Sequence, residues 1–387
     1  MIAYNKIWLD NLYIRAEAGK AINANYITPQ ENEAVRKIYP VGFYSPNIFI
    51  RIGLFLLTAV IVSCSAGLFS LVFLSDASTK GYGMLFIFFG VMAYALAELV
   101  VKYKHHLNSG VDNALIWMSG GFIVGGLNFI FNLSPTGNSV FIFFIASYFS
   151  LRFTDVVMSA IAFLAFLYVI FLNYIKLGNV AKAAIPFLLM AMAAVTYVFA
   201  KRLYQQKKYR HYKNCLTIIE IIALLCFYFA GNYFVVRETS NVMFNMNLKE
   251  VESIPFGWLF WFFSIVIPGF YIFLGIKKKD AVLIRVGLLV VVAMVFTIRY
   301  YHTIMPLEIM MTACGIIIIV CAYALIRYLK QPKKGFTYAE VADKSFRDKI
   351  NLEAIAIAET FTQPQHSATD NLFGGGSGGG GGATGKY

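Results

Sequence analysis

The stretch from Ile48 to Leu74, IFIRIGLFLLTAVIVSCSAGLFSLVFL, decides the fold class. At 27 residues it makes a helix about 40 Å long, against a hydrocarbon core about 30 Å thick. Arg51, in the first turn, is its sole charge. A helix of this kind crosses lipid because its backbone polar groups are satisfied internally. Similar runs follow at 82–101, 113–132, 139–152, 155–175, 183–200, 216–236, 255–276, 281–298 and 306–328, which predicts ten spans. The 387-residue chain is 59% hydrophobic and 14% charged, a composition that a bilayer solvates and a soluble core cannot hide. Its 36 Phe and 24 Tyr suit lipid-facing walls and interfacial aromatic belts. The predicted fold is an all-α polytopic integral membrane helical bundle of about ten transmembrane helices.

The net charge of +13 reports topology better than nucleic-acid binding, because the basic residues sit mainly in the segments between spans. With the N-terminus cytoplasmic, the inside connections hold Lys102, Lys104, Arg152, Lys201, Arg202, Lys207, Lys208, Arg210, Lys213 and Lys277 to Lys279. The outside connections hold only Lys80, Lys176, Lys182, Arg237, Lys249 and Arg299. This bias predicts both termini in the cytoplasm. It also favours counting the short fourth run, 139–152, since without it the cluster at 201–213 would face the opposite side. The first apolar run begins only after Asn47, so the sequence predicts an uncleaved first span rather than a cleavable signal peptide. Cys64, Cys215, Cys226, Cys314 and Cys321 lie in or beside spans with no C-x-x-C spacing, and read as small apolar packing residues. No cofactor or metal is expected.

Residues 1–46 predict a cytoplasmic helical hairpin docked on the membrane domain or a partner. Ile7, Trp8, Leu12, Ala16 and Ile22 form an approximate apolar stripe on the first helix. Thr28, Pro29 and Glu31 form a capping box with proline at the first helical position, and the second helix should stop near Ile38, before Pro40. The membrane domain occupies 47–328. A cytoplasmic amphipathic helix is predicted within 329–362, opening at Thr337 and Glu340, and a disordered Gly-rich tail over 363–387.

Two resemblances bear on these ends. The tail from Phe373 to Tyr387, FGGGSGGGGGATGKY, resembles the F-G-G-G-x-S-G-G-G-G-A-S-G-x-W tails of several bacterial membrane-anchored proteins, including ones with TPM domains. Tyr387 and Thr384 stand where tryptophan and serine are usual. The resemblance implies a protein partner that recognises the tail. Ala18-Gly19 with Tyr26 to Glu31, and Ile298-Arg299-Tyr300-Tyr301-His302 with Leu307 and Gly315, resemble a group of bacterial polytopic proteins of unknown function. Those proteins place a G-x-I-[ST]-x-x-[EQ] hairpin before many spans. Here Asn25 stands where their second glycine would be. The resemblance implies a topology and an inner-membrane location, and no activity.

Charged groups inside spans are costly, about 2.5–3.5 kcal/mol even on insertion scales, so they mark candidate sites. Glu98, Glu220 and Arg285 fall on the cytoplasmic half, as ion-pairing groups or as a proton or cation site with Arg285 as counter-charge. Glu98 stands four residues before Lys102, a favourable pairing distance on a helix. At the outer face, Arg299, His302 and Glu308 form a second polar cluster beside Tyr300 and Tyr301. Gly121 and Gly125 form a G-x-x-x-G spacing suited to close helix packing, and Asn128 and Asn132 could bond a neighbouring helix. His105-His106 makes a poor metal site without acidic partners. Pro268 falls inside the eighth span, where a bend is expected. These features support a membrane scaffold or assembly partner first, a secondary transporter of a small solute second, and an enzyme on a lipid-linked substrate third.

Overall fold

The computed structural model describes residues 2–23, 25–73, 78–244, 254, 256–301 and isolated positions between 312 and 327. The predicted tenth span lies largely outside these residues, and the predicted helix at 329–362 and the Gly-rich tail lie wholly outside them. The described residues form an all-α bundle: α1 (Lys6–Asn23), α2 (Pro29–Ile38), α3 (Ile48–Phe73), α4 (Thr79–Tyr103), α5 (Val111–Phe131), α6 (Pro135–Phe153), α7 (Val156–Tyr174), α8 (Asn179–Gln205), α9 (Lys213–Gly231), α10 (Tyr233–Phe244), α11 (Gly257–Lys278) and α12 (Ala281–Tyr301).

Among the described residues, eight helices are long and apolar enough to cross a membrane: α3, α4, α5, α7, α8, α9 with its preceding turn, α11 and α12. The protein is a multi-pass membrane protein. The predicted fourth span corresponds to α6, a helix of 19 residues that is not among the eight. Its first turn, Pro135-Thr136-Gly137-Asn138-Ser139, is polar, and Ser134 caps it by accepting from Gly137 N at 3.2 Å.

Two apolar clusters, the largest among the described residues, hold most of the bundle. Ala97, Leu115, Ile116, Phe149 and Met158 fill the space among α4, α5, α6 and α7. Leu224, Tyr228, Tyr271, Leu283 and Val290 do the same for α9, α11 and α12. Phe163 and Leu167 of α7 against Ala223 of α9 join the two. α3 lies at the edge and meets α5 through the rings of Phe55 and Trp117, 5.1 Å apart.

Close packing of α4 on α5 uses other glycines than the predicted pair. A Cβ on Gly126 would stand 2.7 Å from the Gly83 carbonyl oxygen, and one on Gly83 2.9 Å from that of Gly126. Gly90 meets Ser119, whose hydroxyl donates to the Gly90 carbonyl at 2.7 Å. Gly121 has open space at its Cβ, and Gly125 only ordinary contact with Phe86 at 3.7 Å. The G-x-x-x-G spacing found the right helix, while the tightest approaches to α4 fall at Gly126 and, from α4, at Gly83 and Gly90. Gly126→Leu is therefore expected to lower stability by about 1–3 kcal/mol, and Gly121→Leu by less than about 0.5 kcal/mol, measured by thermal unfolding in detergent micelles.

The predicted seventh span, 216–236, is not one helix. The chain leaves helical geometry at Asn232 (φ −81°, ψ 130°), which separates α9 from α10. Asn232 Oδ1 accepts from Val235 N at 3.2 Å, and its Nδ2 donates to Tyr228 and Thr297 hydroxyls at 2.9 Å each. Ser264 Oγ accepts from Tyr233 N at 2.9 Å. Backbone groups freed by the break thus find side-chain partners, as an apolar surrounding requires. Asn132, expected to bond a neighbouring helix, instead closes α5 in a left-handed conformation, with its N–H on Asn128 O at 2.8 Å. Pro268 is buried within the continuous α11.

Candidate functional site

Among the described residues, the buried carboxylates Asp112, Asp155, Glu220 and Asp280 collect at one end of the bundle, where the N-terminal hairpin sits. The hairpin forms as its capping box dictates. Glu31 N donates to Thr28 Oγ1 at 3.3 Å, the Glu31 carboxylate accepts from Thr28 N at 2.7 Å, and α2 stops at Ile38. The return segment is tied to α1 by Arg15, which donates to Tyr39 O at 2.6 Å and Arg36 O at 2.5 Å, and by Asn11, which donates to Pro40 O at 2.8 Å. Of the predicted apolar stripe, Trp8 packs on Phe43 and His105, whereas Ile7 is exposed.

Three interhelical connections receive the hairpin. Tyr44 pairs with the α4–α5 loop, its N–H on His105 O at 3.0 Å and its carbonyl accepting from Leu107 N at 3.1 Å. Ala3 N donates to Arg152 O at 2.9 Å, at the end of α6. Asp10 pairs with Arg210 and with His211 Nε2, the latter at 3.1 Å, before α9. Beneath the hairpin, the fully buried Asp112 accepts from Asn108 N and Ser109 N at 2.8 Å and from the Tyr4 hydroxyl at 3.4 Å. Burial, reinforced by that carboxylate, holds the Tyr4 hydroxyl well above its ordinary pKa. Asp155 caps α7, accepting from Met158 N at 2.7 Å, Trp117 Nε1 at 3.2 Å and Asn113 Nδ2 at 3.1 Å. Burial raises its pKa despite these bonds.

Besides the Asp10 pair, two further ionic centres lie at this end among the described residues. In the first, Arg152 grips Glu98 in a two-point contact, Nε to Oε1 at 2.6 Å and Nη2 to Oε2 at 2.8 Å. Tyr94 donates to Glu98 Oε1 at 2.8 Å and pairs with the Tyr148 hydroxyl at 2.7 Å. The predicted Glu98–Lys102 pairing gives way to Arg152, whose planar fork fits a carboxylate better than an ammonium does. In the second, Lys201 of α8 donates to Glu220 Oε1 of α9 at 3.1 Å and to Asp280, which caps α12. Glu220 is buried to 1% exposure. Lys201 is thus a cation bonded to Glu220 that the sequence did not single out, and Arg285 stands exposed on α12.

At the opposite end, Arg299 is partly buried in the last turn of α12, and His302 and Glu308 lie outside the described residues. The buried Arg237 takes the prominent place there, 5.1 Å over the Tyr301 ring, while Tyr301 donates to Glu238 at 3.2 Å. His106 Nδ1 contacts Ser109 Oγ at 2.7 Å, and burial lowers its pKa. No family model, curated protein or solved structure matches the chain.

Arg152, Lys201 and Asp280 escaped sequence reasoning as site residues because each sits at a helix end, where a charge reports topology. The signal for Asp280 was its place before Ala281-Val282, where an aspartate caps a helix. None marked the two lysine contacts across separate helices.

Proposed function

We propose that this protein is a membrane scaffold or assembly partner whose hairpin end faces the cytoplasm. One observation carries the reading: the hairpin is fixed to three connections of the bundle while α2 buries no residue. The hairpin offers Tyr26, in the turn before α2, and Ile38 at its end, both largely exposed, on either side of the charges of Glu31, Glu33, Arg36 and Lys37. A firmly seated, outward-facing helix suits recognition of a protein partner, because little ordering remains to be done on binding. The concentration of Lys102, Lys104, Lys207, Lys208 and Lys277 to Lys279 at the same end supports the cytoplasmic orientation. The resemblance to bacterial polytopic proteins favours an inner-membrane location, and the Gly-rich tail is a second contact for a partner.

Tyr26→Ser with Ile38→Ser is expected to leave abundance and Tm unchanged but to change the proteins that co-purify after gentle detergent extraction. Glu98→Gln and Glu220→Gln, if folded, should not change them. An unaltered set in the hairpin variant would sink the reading.

A second reading, transport of a small solute, rests on a polar row down one face of α9. Glu220, the Leu224 carbonyl (which accepts from the Tyr271 hydroxyl at 2.9 Å), Tyr228 and Asn232 recur every four residues, over about 18 Å. Proton or solute flux in proteoliposomes, abolished by Glu220→Gln at normal abundance, would favour it over the scaffold.

A further inference from the structure

We propose that the groove between α4 and α6 is a binding site for one anionic phospholipid of the leaflet on the hairpin side. The site is independent of the scaffold reading. The groove encloses about 330 Å³ and is lined by Val91, Tyr94, Ile123, Ile145, Tyr148 and Phe149, with Phe144 at its rim. Ile123 of α5 also lines it, and Phe149 is its most buried wall. Val91, Phe144 and Tyr148 are substantially exposed, so the groove opens on the flank that faces lipid.

Its chemistry changes in order along its length. On α4, Val91, Tyr94, Glu98 and Lys102 recur at helical spacing on one face; on α6, Phe144, Tyr148 and Arg152 do the same. Both helices end at the hairpin side. The rows therefore run together from apolar walls, through the paired hydroxyls of Tyr94 and Tyr148 at 2.7 Å, to the Glu98–Arg152 ion pair. Beyond them Lys102 and Lys104 are exposed at the end of α4. Because Arg152 is matched by Glu98, Lys102, which continues the α4 row, gives the mouth its net positive charge. From Val91 to Lys102 the rise is about 16 Å, half of a hydrocarbon core about 30 Å thick. One leaflet's lipid has the same sequence of chemistry over the same length: an acyl chain, polar ester and glycerol oxygens, then a phosphate. A zwitterionic headgroup would match the walls but not the charge at the mouth.

The test reconstitutes the full chain in phosphatidylcholine nanodiscs with a trace of photoreactive lipid, either phosphatidylglycerol or phosphatidylcholine, and maps the adducts by mass spectrometry. Phosphatidylglycerol should label the Val91–Tyr94 and Phe144–Phe149 peptides about fivefold more than phosphatidylcholine, with no such preference on α3. Val91→Trp should remove the groove adducts and spare those on α3. Lys102→Gln, at an exposed site that leaves the fold intact, should bring phosphatidylglycerol down to the phosphatidylcholine level. Equal labelling by the two lipids in the unmodified protein would overturn the proposal and leave ordinary boundary lipid. So would a preference that survives Lys102→Gln.

Discussion

Gly110→Ala is expected to cost about 3 kcal/mol or more. Gly110 has φ +97°, and a Cβ there would lie 2.1 Å from Arg51 O and 3.0 Å from Phe55 N. Those two atoms belong to one turn of α3 four residues apart, so neither can yield without opening the helix that shares them. Strain from the positive φ adds about 1–3 kcal/mol, and overpacking typically another 1–3 kcal/mol. The consequence reaches further than α3. Gly110 precedes α5, whose first turn holds Asp112 against Ser109, Asn108 and Tyr4. Pushing α3 away, or shifting the loop, should loosen the seat of the hairpin too. Thermal unfolding should show a lower Tm, and hydrogen exchange should rise in residues 2–23 before the rest of the bundle. A Tm unchanged from that of Gly121→Ala would show that α3 does not rest on this loop.

How much of this was legible in the chain depends on the range of each interaction. The spans announce themselves by composition, because twenty successive apolar residues have no other stable place. The start of α2 is equally local: Thr28, Pro29 and Glu31 settle it within four positions. The break at Asn232 is harder to see. It interrupts an apolar run without a proline, and it is stable only because Tyr228, Ser264 and Thr297 supply partners, two of them from other helices. Spacing also identified Gly121 and Gly125 as one face of α5, but could not say which face meets α4. The ionic centres were half visible. Glu98 and Glu220 stood out as charges in apolar runs, whereas Arg152, Lys201 and Asp280 looked like ordinary charges at helix ends. Only folding brings Arg152 back to α4, or Asp280 to α8, and no local pattern records that return.

Lys201→Met is expected to lower stability by about 3 kcal/mol, the lower end of the range for breaking a buried ion pair. Lys201 is itself 28% exposed, which moderates the loss, but its partners Glu220 and Asp280 are 1% and 6% exposed. Methionine keeps most of the side-chain bulk and removes the charge, leaving two carboxylates close together with little access to water. Their mutual repulsion and desolvation, more than the lost contacts, set the size of the effect. The triple variant Lys201→Met, Glu220→Gln, Asp280→Asn should therefore recover most of the loss, since all three charges leave together. Asp280→Asn keeps a side chain able to cap α12, so the cap at Val282 N should survive. A Lys201→Met loss under about 1 kcal/mol, typical of a surface pair, would mean that water rather than lysine satisfies the carboxylates. If the triple variant folds as expected, it also separates the two functional readings. A scaffold needs the shape of this end and should work without its charges, whereas a transporter that loads a proton at Glu220 should stop.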